Sequence, residues 1–245
     1  MRAIVLAGGK GTRLRPFTTT IPKPIVPVGD KAIMEILVEQ LAGYGCDRIT
    51  VALSHLAQLV MAYFADGRKW GVQIDYSVED KPLGTIGPLR LIKDLPEHFL
   101  VMNGDILTDL DFAHLYQTHV SSGALATVGT YERDVKIDLG VLKYDRATRR
   151  VVAFVEKPIE HFSVSMGAYA FSRRVLDFVP EDRPFGFDHL MLAMIEKGLN
   201  VRAYPFDGFW LDIGRPEDYE RANNEFEQIR DRFLPRPSSR GASSP

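Results

Sequence analysis

Two rhythms of apolar residues alternate along the chain. Short apolar runs at 1–5, 48–53, 72–77 and 99–102 read as strands. Between them, apolar residues return every three or four positions at 32–43 and 55–65, the spacing of helices. The segment 21–28 holds Pro22, Pro24 and Pro27 around Lys23 and reads as stiff and extended. A helix is expected to begin near Thr85, and another at 112–118, with Asp109 and Asp111 as candidate caps. Strand–helix alternation of this kind argues for a mostly parallel sheet with helices on both faces.

The second half changes rhythm. A strand at 124–130 is followed by 139–144 and 151–156, a hairpin around residues 146–149. Further strands are expected at 166–171 and 200–206. Helices are expected at 175–179, at 187–197 with Asp188 as a possible cap, and at 216–232 with Pro216 as the first residue. Strand following strand makes the sheet mixed. The expectation is therefore an α/β fold, a three-layer sandwich forming one domain over 1–234. Residues 235–245, rich in Pro, Ser and Arg, have the composition of a disordered tail.

Composition narrows the partners. A formal net charge of -2 gives no bulk case for nucleic acid as a partner. No apolar stretch is long enough for a membrane span, and no leader pattern opens the chain, so a cytoplasmic protein is expected. The single cysteine, Cys46, excludes an intrachain disulfide and reads as a small buried residue. The six histidines have no metal-ligand spacing and read as structural or surface residues.

Candidate chemistry lies in loops that follow strands. The first strand runs into Leu6-Ala7-Gly8-Gly9-Lys10-Gly11-Thr12-Arg13-Leu14-Arg15. Glycines let a ligand approach main-chain N–H groups, and such turns form concave anion sites. Arg13 and Arg15 add paired donors suited to phosphate. The loop is not a P-loop, since no Gly-Lys-Ser/Thr closes it, and Leu14 breaks the dinucleotide fingerprint. Asp105, just past a buried strand, stands at the rim where α/β ligands bind and is a candidate for a hard cation. Asp212 is a second isolated carboxylate beside Gly214. Read singly, each of these motifs is also a common turn or cap.

Taken together, the blocks resemble the sugar-1-phosphate nucleotidyltransferases. The resemblance is carried by Leu6-Ala7-Gly8-Gly9-x-Gly11-Thr12-Arg13-Leu14-x-Pro16 and Pro22-Lys23-Pro24. In order there follow Pro82-Leu83-Gly84-Thr85, Asn103-Gly104-Asp105, Glu156-Lys157-Pro158, Gly167-x-Tyr169-x-Phe171 and Trp210-x-Asp212-Ile213-Gly214. It spans residues 1 to about 230.

The resemblance implies a Rossmann-like domain that joins a nucleoside triphosphate to a sugar 1-phosphate, releasing pyrophosphate. It gives nucleotide contacts to Leu6, Ala7, Gly8, Gly9, Gly11, Thr12, Arg13, Glu79, Gly84, Thr85, Asn103 and Gly104. Arg13, Lys23 and Asp105 take catalytic roles. Gly140, Glu156, Lys157, Ser165 and Gly167 fall to the sugar phosphate, and Asp105 and Asp212 to Mg²⁺. Ser165 stands where many relatives carry Asn. The Pro82 to Thr85 block looks most like mannose- and heptose-1-phosphate guanylyltransferases. Thymidylyl, uridylyl, cytidylyl or adenylyl transfer are the alternatives, as is a catalytically silent regulatory subunit. Relatives are often dimers or tetramers, so a homo-oligomer is a further expectation.

Overall fold

The computed structural model describes residues 1–233, so the tail expected at 235–245 lies outside the described residues. A mixed, mostly parallel seven-stranded sheet organises the chain. Its strands are β1 (Arg2–Leu6), β2 (Arg48–Leu53), β3 (Gln73–Val78), β4 (His98–Asn103), β5 (Ala126–Lys136), β6 (Ile159–Ser172) and β7 (Val201–Phe206). They lie in the order β7-β5-β6-β4-β1-β2-β3. Only β6 runs antiparallel, to β4 on one side and β5 on the other. β1 is flanked by parallel partners, in register Leu6↔Ala52 with β2 and Leu6↔Asn103 with β4. Three loops therefore leave the same sheet edge side by side.

The central strands are buried on both faces, which is why they read as unbroken apolar runs. Ala3 and Val5 enter one core with Met34 and Leu37 of α1 (Ile33–Gly43), Val60 and Phe64 of α2 (Ala57–Phe64) and Phe112 of α3 (Phe112–Ser122). Ile4 points the other way, into a second core with Val175, Leu190 and Met194. The last two belong to α4 (Phe187–Glu196). A third, smaller core gathers Leu14, Val26, Ile33, Leu107 and Leu211 under Phe226 and Phe233 of α5 (Pro216–Phe233). Each fully buried phenylalanine is worth about 1.5–3 kcal/mol. This third core clamps the ends of the functional loops.

Several expectations are corrected. The 21–28 segment is not simply extended: Lys23–Ile25 forms a 3₁₀ turn, with Val26 N–H donating to Lys23 O at 3.1 Å. No α-helix starts near Thr85. A short 3₁₀ turn, Gly87–Leu91, follows instead, and Thr85 caps nothing. Pro88 has no N–H to donate, and the N–H groups of Ile86 and Gly87 are both taken by Phe185 O. Residues 175–179 likewise lie within or beside a 3₁₀ segment, Arg173–Phe178. Asp111 caps α3 through His114 N–H, but Asp109 accepts from Phe209 N–H and pairs with Arg232. Gly186, not Asp188, is the N-cap of α4.

The strands expected at 124–130 and 166–171 are much longer. β5 and β6 continue past the sheet as an antiparallel ribbon, pairing Tyr131↔Val164 out to Lys136↔Ile159. The expected hairpin, Val141–Tyr144 with Val151–Val155, extends from that ribbon. Its turn is tied by Asp145 Oδ1, which accepts from Thr148 N at 2.6 Å and Thr148 Oγ1 at 2.8 Å.

Candidate active site

Three main-chain bonds fix the floor of the site. Ala7 N–H donates to Ala52 O, Gly104 N–H to Leu6 O and Glu79 N–H to Leu53 O, at 2.9 to 3.0 Å. The loops after β1, β2, β3 and β4 thus open on one groove of about 370 Å³. Leu6, Gly8, Gly9, Glu79, Gly84, Thr85, Asn103 and Asp105 all line it. Seven residues drawn to the nucleotide by sequence thus meet in one place, together with Asp105.

Their roles differ. Gly9 has nothing within 4 Å of where a Cβ would stand, so its open side faces the groove. Gly11 takes φ +60, and its carbonyl accepts from Thr18 Oγ1 at 2.7 Å, which bends the loop into the Thr12–Leu14 turn. Gly84 is needed for a reason unrelated to a ligand: at φ +78, a Cβ would sit 2.8 Å from Phe185 O. Glu79 braces the same loop, its Oε2 accepting from Leu83 N–H at 2.9 Å.

At the inner end stands Lys23, paired with Asp105 Oδ2. Both are partly buried. Asp105 Oδ1 is buried with no hydrogen-bond partner. Asp212 arrives through an antiparallel pairing of Trp210–Asp212 with Ile106–Thr108, which sets Asp212 opposite Ile106. Ile213 N–H then donates to Asp105 O at 3.0 Å. Burial, and next the nearby Asp105 charge, push the Asp212 carboxyl above its ordinary range, while Lys23 and Arg13 pull it back. Two carboxylates that disfavour each other's charge, one with an orphaned oxygen, fit a divalent cation with few protein ligands. Among the described residues no group of three His, Cys, Asp or Glu side chains could hold a metal. A cation here would complete its shell with phosphate and water, as Mg²⁺ does.

The residues drawn to the sugar phosphate are arranged differently. Gly167 takes φ +75 at a register shift in β6, and a Cβ there would meet Asn103 Nδ2 at 2.6 Å. Ser165 Oγ hydrogen-bonds Tyr169 OH at 3.2 Å, and Tyr169 feels the Asp105 charge. Gly167 thus backs onto Asn103 of the groove, and Ser165 lies behind it on Tyr169; neither lines the groove itself. Gly140, Glu156 and Lys157 stand exposed where the hairpin meets the ribbon, with Glu156 beside Gly140, and line neither the groove nor the carboxylate end. Lys157 adopts φ +46 directly before Pro158, a position that disfavours such a backbone. Strain of this kind gathers at ligand-holding residues.

Sequence reasoning missed a cluster beyond Asp212, where Arg133, Arg215 and Arg221 share a basin with Arg13. No motif marks them. Cys46 is buried and its thiol is pushed up to about 12, so it is inert. Burial, and next the neighbouring His98, push the His119 imidazole down to about 4. No helix of the described residues is long and apolar enough to cross a membrane.

The chain is 37% identical over 242 residues to a UTP–glucose-1-phosphate uridylyltransferase of Synechocystis sp., covering 91% of this chain and 62% of that protein. It is 32% identical over 227 residues to a mannose-1-phosphate guanyltransferase of Candida albicans, covering 89% of this chain and 62% of that protein. This chain therefore spans less than two thirds of those relatives' length. The crystal structure of HddC from Yersinia pseudotuberculosis complexed with GMP-PN superimposes with a TM-score of 0.70 at 27% identity, covering 92% of this chain and 99% of that one. A family model described as nucleotidyl transferase matches residues 2–229, and the chain belongs to that family.

Proposed function

We propose that this protein transfers a nucleoside monophosphate from a triphosphate to a sugar 1-phosphate, with guanylyl transfer to mannose- or heptose-1-phosphate favoured. The observation that carries the reading is the groove itself, which ends on Lys23, Asp105 and Asp212. Base and ribose lie against Gly8, Gly9, Gly84 and Thr85, and the phosphates run inward toward Lys23 and Arg13. The nucleophile is a phosphate oxygen of the sugar phosphate, already anionic, so the step needs no general base. The obstacle is bringing two polyanions together. Positioning and preorganised charge supply the acceleration.

Asp105 and Asp212 would hold Mg²⁺, which supplies charge neutralisation on the phosphates when bound. Lys23 and Asp105 neutralise each other in the free protein. With a triphosphate bound, the Lys23 ammonium turns to phosphate, which frees the Asp105 carboxylate that would hold the cation. Lys157 and Glu156, brought in by the arm, engage the phosphate and hydroxyls of the sugar.

Relatives named as mannose-1-phosphate guanyltransferases and a similar structure complexed with GMP-PN favour guanine. The relative at 37% identity favours a second reading, uridylyl transfer to glucose 1-phosphate. Incubation of the purified chain with Mg²⁺, each nucleoside triphosphate and a panel of sugar 1-phosphates, with pyrophosphate as readout, separates them. Release should be greatest with GTP and mannose or heptose 1-phosphate, and chelation should abolish it. Greatest release with UTP and glucose 1-phosphate selects the second reading. No release with any pair refutes the enzyme.

A further inference from the structure

A second basin of about 360 Å³ lies against Asp212. Four arginines, Arg13, Arg133, Arg215 and Arg221, line it with two aspartates, Asp212 and Asp218. They come from separate parts of the fold. Arg13 lies in the first-loop turn and Arg133 on the part of β5 that forms the ribbon. Arg215 directly precedes α5, and Arg221 lies within it. Arg221 is already engaged, its Nε donating to Glu225 at 2.9 Å. Asp218 is taken by the main-chain N–H of Arg215 at 3.1 Å. Among the described residues no carboxylate lies in ion-pair range of the Arg13, Arg133 or Arg215 guanidinium.

Four guanidiniums face two carboxylates in this space, and the surplus positive charge is relieved by an anion. Guanidinium forks match the oxygens of phosphate with parallel donors. The position narrows the anion further. Arg13 and Asp212 belong both to the basin and to the reaction centre, so its occupant meets the α-phosphate. We infer that Arg133 and Arg215 join Arg13 in receiving the pyrophosphate leaving group, an inference that rests on the nucleotidyl-transfer reading. In that step a phosphate oxygen of the sugar 1-phosphate bonds to the α-phosphorus. The bond from the α-phosphorus to the bridging oxygen breaks. Pyrophosphate departs with that oxygen and the bonding electron pair, and no proton moves. Arg133 and Arg215 hold the departing charge on the side away from the base.

The test is the double variant Arg133→Ala, Arg215→Ala, assayed in both directions. In reverse, with nucleotide-sugar and pyrophosphate, its KM for pyrophosphate should rise about tenfold to a hundredfold, the loss expected for charge-assisted bonds. In the forward direction its KM for sugar 1-phosphate should stay within about twofold of the wild-type value. Arg133→Lys with Arg215→Lys should restore part of the pyrophosphate affinity, and melting temperatures should match. An unchanged KM for pyrophosphate overturns the inference, and so does a rise confined to sugar 1-phosphate. If the wild type turns over no substrate pair, the transfer reading fails. Calorimetric titration of inorganic pyrophosphate into wild type and double variant then decides the basin separately. Tighter binding by the wild type upholds it, and equal binding or none refutes it.

Discussion

The two halves of the site are built on different mechanical principles. On the nucleotide side, Leu6, Asn103 and Asp105 leave adjacent parallel strands whose faces are both packed. Backbone bonds between neighbouring loops fix their positions. On the sugar side, Glu156 and Lys157 ride on a two-stranded hairpin with both faces open to solvent. Leu142, Tyr144, Val152 and Phe154 are all more than half exposed, Val152 by 69%. An isolated hairpin is marginally stable in water, so this arm depends on what it meets. On the proposed function, the contrast gives preorganisation to the nucleotide and adjustment to the sugar phosphate. Residues of the floor should then affect every step, and residues of the arm only those that involve the sugar.

The sharpest break in that division comes from Asp105→Asn. It keeps the shape of the side chain but removes the charge that pairs with Lys23 and would hold the proposed cation, and turnover should fall by about 10²–10³ or more. Steady-state assay beside a thermal melt checks that the fold survives. Lys157→Ala should raise KM for the sugar 1-phosphate by about ten- to a hundredfold, the worth of one charge-assisted bond. Its KM for the triphosphate should not move.

Two glycines sharpen the comparison within the floor. Gly9→Ala meets empty space, so its melting temperature should stay near wild type while triphosphate affinity drops. Gly84→Ala forces a Cβ onto Phe185 main chain at a positive φ, so it should lose about 1–3 kcal/mol of stability, ligand or none. Denaturant titration separates the two.

The smallest effect concerns pH. The Asp212 carboxyl titrates above its unfolded value, so its stability contribution is present in acid and lost as pH rises through the folded pKa. Asp212→Asn should therefore melt higher than wild type at pH 7, with the advantage shrinking as the pH falls. It should nonetheless be inactive.

Most of the groove was legible from sequence because its residues sit in contiguous blocks after apolar strands. Gly8 to Arg13 and Asn103 to Asp105 announce themselves by type and spacing. The joining of Asp105 to Asp212 was not legible. It depends on pairing between Ile106–Thr108 and Trp210–Asp212, segments too short to have a period. The arginine basin was still less so, since Arg13, Arg133 and Arg215 are single residues distributed along the chain. The 3₁₀ turn at Gly87–Leu91 was missed because helical composition lost to Pro88 and to two N–H groups captured by Phe185 O. The length of β5 and β6 escaped because their outer parts are mostly exposed on both sides and rich in charged and polar residues, leaving no buried apolar run.

The central claim is that the floor holds the nucleotide without the arm. Calorimetric titration of the preferred triphosphate, with Mg²⁺, into wild type and Lys157→Ala tests it directly. Equal dissociation constants are the predicted result. A variant that no longer binds the triphosphate would contradict the account, because the arm would then be part of the nucleotide site.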